Sequence, residues 1–203
     1  MNVHSFGQHE GAPVFEATIA SKAGATAKVL TWGAALRDLV VPHGQGKQRV
    51  TLGLNSIEDY VAYSPYFGAT PGRYANRIAN GRFSLDGAVY NIARKPDEKH
   101  ALHGGPDGFG HRAWKLGPVD ASSATLEFDS PDGDQGFPGA LRATCVYRLL
   151  EPATLRIEPL RAGIDVLQQS LRSISDWRST VCGSARPVDK STVTIAINVY
   201  WMG

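Results

Sequence analysis

Along this chain apolar and polar residues alternate with a period of two far more often than they recur at three or four positions. Residues 14–19, 28–32 and 36–41 carry short alternating runs bounded by Gly, Ser or Pro, the signature of half-buried strands. The pattern returns at 113–116, 125–128, 141–149 and 154–157. In the longest run Leu141, Ala143, Cys145, Tyr147 and Leu149 form one apolar face, while Arg142, Thr144 and Arg148 occupy the other. One short helix is expected at 56–63, with Ser56 as N-cap and Glu58 and Asp59 in the first turn. Many short strands separated by turn residues predict an all-β protein, an antiparallel β-sandwich.

One stretch departs from the even rhythm of strand and turn. The dipeptide Asp86-Gly87 divides residues 82–92 into two alternating halves, the strongest short-range hairpin signal. Two polar, glycine-rich runs flank it, Gly68-Ala-Thr-Pro-Gly-Arg-Tyr-Ala-Asn-Arg-Ile-Ala-Asn-Gly81 and Ala101-Leu-His-Gly-Gly105. A hairpin between them would hold the two runs at its ends, so chemistry is expected there.

Composition narrows the partner. With 203 residues, 42% of them hydrophobic, the chain can bury one core of its own. A net charge of +2, spread rather than clustered, leaves no electrostatic footprint for nucleic acid or a membrane surface, and the expected partner is a small neutral molecule. No stretch approaches the ~18 apolar residues of a membrane span, and the N-terminus lacks the basic and apolar regions of a leader, which predicts a cytoplasmic location. Cys145 and Cys182 belong to no C-x-x-C pair, so neither a disulfide framework nor a metal site is expected, and Cys145 reads as a small buried hydrophobe. No phosphate loop, nucleotide fingerprint or metal-ligand cluster occurs, and no cofactor is expected.

Three pieces resemble the aldose 1-epimerase, or mutarotase, family: Gly72-Arg-Tyr-Ala-Asn-Arg-Ile-Ala-Asn-Gly81; Leu102-His-Gly-Gly105 with Gly108, Phe109 and Trp114 after it; and Ser130-Pro-Asp-Gly-Asp-Gln-Gly-Phe-Pro-Gly139. Their order and spacing match across roughly residues 10–158. The resemblance implies a mutarotase-like supersandwich, truncated, in which 1–158 is the sandwich portion and 159–203 a divergent tail. It also implies an enzyme that interconverts the α and β anomers of a hexose such as galactose or glucose by acid/base ring opening. The alternative is a carbohydrate-binding module or inactive remnant.

The resemblance makes His103 a sugar-contacting catalytic histidine and Asn76 and Arg77 the pair that reads sugar hydroxyls. The residue types suit those roles. Imidazole holds or releases a proton near neutral pH, and Arg and Asn together offer a fork of donors and an acceptor that do not titrate. Arg73 can be read as sugar-binding or structural, and Phe109, Trp114 and Trp32 as sugar platforms, with core packing preferred for Trp32. His100 and His111 read as surface residues, and the Ser130–Gly139 run as a turn. Residues 159–203 contain neither His nor Glu, whereas the family carries a second histidine and a glutamate base beyond the matching region. A weakly amphipathic helix over 164–174 and a strand over 193–201 are expected there.

Overall fold

The computed structural model describes residues 2–64, 66–162 and 195–198. The first half forms a five-stranded antiparallel meander of β1 (Val3–His9), β2 (Ala12–Ala20), β3 (Thr26–Leu30), β4 (Ala35–His43) and β5 (Gly46–Arg49). Helix α1 (Ile57–Tyr63) follows, and Ser56 caps it by accepting the Asp59 N–H at 3.1 Å, as the sequence predicts. Four short strands come next: β6 (Arg77–Ile78), β7 (Arg82–Leu85), β8 (Ala88–Asn91) and β9 (Ala101–Leu102). A second five-stranded meander is built from β10 (Lys115–Val119), β11 (Ser123–Ser130), β12 (Leu141–Leu150), β13 (Thr154–Ala162) and β14 (Ile195–Asn198).

A single apolar cluster joins the two sheets. Ala17, Ile19, Val29 and Leu39 of the first meet Leu126, Cys145, Tyr147 and Leu155 of the second. The apolar face expected on β12 is therefore the inner face of a sandwich, and Cys145 lies in its centre. Tyr147 lies deep in that cluster, and its hydroxyl donates to the Ala34 carbonyl at 2.6 Å. Burial pushes its phenol well above the ordinary value, so that donor stays protonated.

The outer face of the first sheet is covered by α1, where Ile57 and Tyr60 pack on Val14, Leu30 and Trp32. Glu16 faces the same side and is 1% exposed. It is held by His4 Nε2 at 2.8 Å, Lys28 Nζ at 3.0 Å and Arg37 at 2.5 Å. Pairing of β3 with β4 skips Arg37, since Lys28 faces Asp38 and Val29 faces Leu36, and the bulge turns Arg37 outward toward Glu16. Arg37 Nε also donates to the Leu54 carbonyl at 2.8 Å, which ties the loop before α1 to the sheet.

The strands β1 and β5 were not legible in the pattern because they are edge strands with few buried residues to set an alternation. The helix expected over 164–174 lies outside the described residues. Of the strand expected over 193–201, residues 195–198 are described, and they pair antiparallel with β13, Ile197 opposite Leu155.

Two substitutions test these assignments. Glu16→Gln leaves cations facing a neutral amide in a buried setting and is expected to lower unfolding free energy by about 3 kcal/mol. Burial alone would raise the Glu16 pKa, but hydrogen bonds and charge from Lys28 and Arg37 more than offset it and hold the carboxyl below its ordinary value. Its stabilisation is thus present above the unfolded carboxylate range of about 4.3 and is lost as pH falls below it, so the variant's stability should fall less steeply with acid than the parent's. At the hairpin tip Asp86 has φ 49° and Gly87 φ 80°, the two positive values of a type I′ turn. A β-carbon on Gly87 would meet nothing within 4 Å, so Gly87→Val carries backbone strain alone and should cost about 1 kcal/mol or more by denaturant titration.

Candidate functional site

The hairpin β7–β8 does what its position in the sequence suggests, and brings the two polar runs together. β6 and β9 pair antiparallel, Arg77 opposite Leu102 and Ile78 opposite Ala101. The main chain extends this ladder by one step, with the His103 N–H donating to the Asn76 carbonyl at 2.9 Å. Asn76 answers with its own N–H, donating to His103 Nδ1 at 3.0 Å. Asn76, Arg77 and His103 therefore lie side by side although Asn76 and His103 are 27 positions apart in sequence.

Both Asn76 (φ 67°) and His103 (φ 51°) are in the left-handed region, an uncommon conformation for histidine that concentrates at functional sites. The glycine after His103 is required by a close approach. At Gly104 (φ 94°) a β-carbon would sit 1.7 Å from the Gly72 carbonyl oxygen, so the two polar runs touch backbone to backbone.

The protonation of His103 follows from its partner. A backbone N–H can only donate, so Nδ1 accepts and the neutral ring carries its proton on Nε2. Burial, then the charges of Arg77 and His111, push its pKa below the ordinary imidazole value. At neutral pH the ring is an uncharged hydrogen-bond donor through Nε2. Arg77 is exposed, and among the described residues its guanidinium forms no ion pair.

Arg73, four residues earlier, has the opposite character. It is 5% exposed and bonds the run after β11 five times: Nε to Ser130 Oγ at 2.9 Å, one terminal nitrogen to the Pro138 and Gly139 carbonyls at 3.0 and 2.6 Å, the other to the Ser130 and Pro131 carbonyls at 3.0 and 2.5 Å. The structure makes Arg73 structural. The Ser130–Gly139 run is a turn, as expected, but a shaped one. Asp134 accepts from Arg112 at 3.0 Å and from Ser130 Oγ at 2.5 Å, and Gln135 Oε1 accepts the Asp107 N–H at 3.3 Å beside Gly105. A depression of about 550 Å³ lined in part by Arg94, Lys95, Gly133 and Gln135 flanks this turn, and Asn76, Arg77 and His103 are not in its lining.

Other sequence expectations are corrected here. Phe109 and Trp114 are 2% and 4% exposed and pack into the inter-sheet cluster, where neither ring has a face for a sugar. Trp114 Nε1 donates to the Phe109 carbonyl at 3.0 Å, which satisfies its polar edge. His111, read as a surface residue, is half-buried and stacks on Tyr66 (4.9 Å between ring centres, 28° between planes), while Tyr66 meets His103 edge-to-face at 4.5 Å and 61°. Tyr66 was invisible to periodicity because it lies in a loop; its nearness in sequence to the Gly68–Gly81 run was the available signal. His100 is half-buried, and its Nδ1 accepts the Asn80 N–H at 3.0 Å.

Architecture and relatives agree on the class. The coordinates superpose on a GalM/aldose epimerase homologue from C. elegans with a TM-score of 0.68 at 32% identity, covering 73% of this chain and 46% of that one. They superpose equally, at a TM-score of 0.68, on galactose 1-epimerase from Lactobacillus acidophilus NCFM, with 27% identity over 80% of this chain and 48% of that one. This is the galactose mutarotase class of antiparallel β-sandwich. The sequence model of the family described as aldose 1-epimerase matches residues 16–160, and the chain belongs to that family. It is 38% identical over 157 residues to the aldose 1-epimerase of Escherichia coli K12, covering 77% of this chain and 45% of that protein. It is 41% identical over 124 residues to the galactose mutarotase of Bos taurus, 60% of this chain and 35% of that one. The chain thus spans less than half the length of these curated relatives.

Removing Arg73 should show in stability before function. Arg73→Ala leaves the buried Ser130 carbonyl and three part-buried carbonyls without their donor and is expected to lower unfolding free energy by about 3 kcal/mol, read as a shift in denaturant midpoint. Arg73→Lys should recover only part of this, because an ammonium cannot reproduce the planar fork.

Proposed function

We propose that the chain reads an aldohexose such as galactose or glucose at Asn76, Arg77 and His103, in the service of aldose 1-epimerase chemistry and without a cofactor. The observation that carries the reading is the bond from the Asn76 N–H to His103 Nδ1, which turns His103 into a neutral Nε2–H donor set beside the exposed Arg77. The names of the relatives support the substrate class. Residues 1–158 are the unit that would do this; the divergent segment 159–203 adds the end of β13 and the strand β14 to the second sheet.

Mutarotation opens a cyclic hemiacetal. One group removes the proton from the anomeric hydroxyl, another supplies one to the ring oxygen, and the ring recloses on either face. Arg77 and Asn76 would hold neighbouring sugar hydroxyls. His103 would donate from Nε2 to the ring oxygen, drawing electron density toward it and easing cleavage of the ring C–O bond. Full transfer of that proton would leave an imidazolate, so a neutral His103 polarises and positions rather than protonating outright. A proton acceptor for the anomeric hydroxyl and a proton donor for the ring oxygen are both still required, and residues 159–203 contain neither His nor Glu. That observation favours a second reading, in which these 203 residues bind a hexose and turn it over slowly.

Two measurements test both readings. Calorimetry should detect hexose binding, and Arg77→Ala should weaken it by about 1.5–3 kcal/mol with the denaturant midpoint unchanged. Unchanged binding would remove Arg77 from the site. Polarimetry of freshly dissolved α-glucose or α-galactose should give a rate near the uncatalysed one, because proton transfer by a positioned side chain is worth about 10²–10⁴-fold. A turnover of about 10 s⁻¹ would overturn the slow-turnover reading.

A further inference from the structure

We infer that Tyr66 is a positioning residue of this site, a wedge between His103 and His111 that holds the His103 ring in the orientation where Nδ1 accepts from the Asn76 N–H and Nε2–H faces outward. The inference rests on the reading of His103 as a sugar contact only for its functional meaning; its structural content stands apart from any ligand.

Three observations converge on it. His111 is fixed independently of the site: its Nδ1 lies 2.8 Å from the Pro106 carbonyl, which can only accept, so Nδ1–H donates and the ring is anchored to the main chain. The Tyr66 ring stacks on that anchored imidazole at 4.9 Å and 28°. The same ring then meets His103 edge-to-face at 4.5 Å and 61°. His103 is thus gripped from two directions, by the Asn76 N–H at Nδ1 and by an aromatic ring that is itself backed by a tethered histidine. With one face covered by His111, Tyr66 is poorly placed to stack on a sugar, which separates its role from that of a binding platform.

The electrostatics act in the same sense. The charged and titratable groups around His103 are Arg77 from β6, His111 from the turn after Phe109, and Tyr66 itself. The first two disfavour a second proton on His103, and burial disfavours it more. Burial, with the Glu98 charge, raises the Tyr66 phenol, which keeps it protonated and uncharged beside the imidazole. Without the Tyr66 ring, water would reach His103, the desolvation that depresses its pKa would weaken, and the ring could rotate away from the Asn76 N–H.

The test is the imidazole nitrogen spectrum of His103, followed by NMR against pH in the whole 203-residue protein without ligand. The parent should show the Nε2–H tautomer at neutral pH and a midpoint below the ordinary ~6.5. Tyr66→Phe should keep both, since the ring is what wedges. Tyr66→Leu should raise the midpoint toward the ordinary ~6.5 and mix the tautomers, and should weaken binding of galactose or glucose about fivefold while Tyr66→Phe binds nearly as the parent does. A Tyr66→Leu protein that folds and keeps the parental His103 midpoint and tautomer overturns the inference. If Tyr66→Leu does not fold, the parent alone decides: an Nδ1–H tautomer, or a midpoint at or above ~6.5, is incompatible with it. A parent that binds neither sugar but shows the expected His103 spectrum and its change in Tyr66→Leu would sink the sugar reading and leave the wedge standing.

Discussion

Arg73 is almost wholly buried, and its guanidinium bonds the run from Ser130 to Gly139 five times while its own backbone belongs to the run that carries Asn76 and Arg77. A buried cation is stable only where its donors are met, and here they are met mostly by main-chain carbonyls of a turn that closes the end of the second sheet. The consequence is mechanical. A glycine-rich loop that could adopt many paths is pinned to the sandwich at one residue, and everything after it inherits that position. Three residues further on, Asn76 reaches His103; on the other side, Gly72 lies against Gly104 at backbone contact.

The two faces of the first sheet are stabilised by different physics. Inside, small residues such as Ala17, Ala27 and Ala34 let the sheets approach, and Tyr147 crosses the gap to the Ala34 carbonyl. Outside, a buried carboxylate with three basic neighbours does part of the work, and a β-bulge was needed to aim Arg37 at it. The ionic cluster also holds the loop before α1, which leads into Tyr66 and the polar run. Stability on that face and order at the site are therefore linked through Arg37, in a way that falls off in acid.

At the site the division of labour follows from protonation state. Arg77 is a permanent charge in water, suited to reading hydroxyls without titrating. His103 is held neutral by burial, by neighbouring positive charge and by a backbone donor at Nδ1, so its chemistry is that of a hydrogen-bond donor. In the proposed reading such a donor would ease ring opening by stabilising charge developing on the ring oxygen, and the proton-accepting role would fall to another residue.

The alternation of Leu141, Ala143, Cys145, Tyr147 and Leu149, the capped helix after Ser56 and the Asp86-Gly87 turn were determined by the sequence itself, because each depends on local backbone preference or on a period that one face of a sheet imposes. The candidate site residues were visible through their motifs. What only the tertiary structure decided was which aromatic residues face the site and which face the core. Phe109 and Trp114 carry no mark that distinguishes a sugar platform from an inter-sheet plug, and their burial is set by strands far along the chain. His111 reads as a surface histidine until Tyr66 is laid on it, and Arg73 reads like Arg77 until the turn after β11 closes over it. Strand and turn are encoded within a few residues; the environment of a side chain is assembled from segments tens of residues apart, and no period within one segment records it.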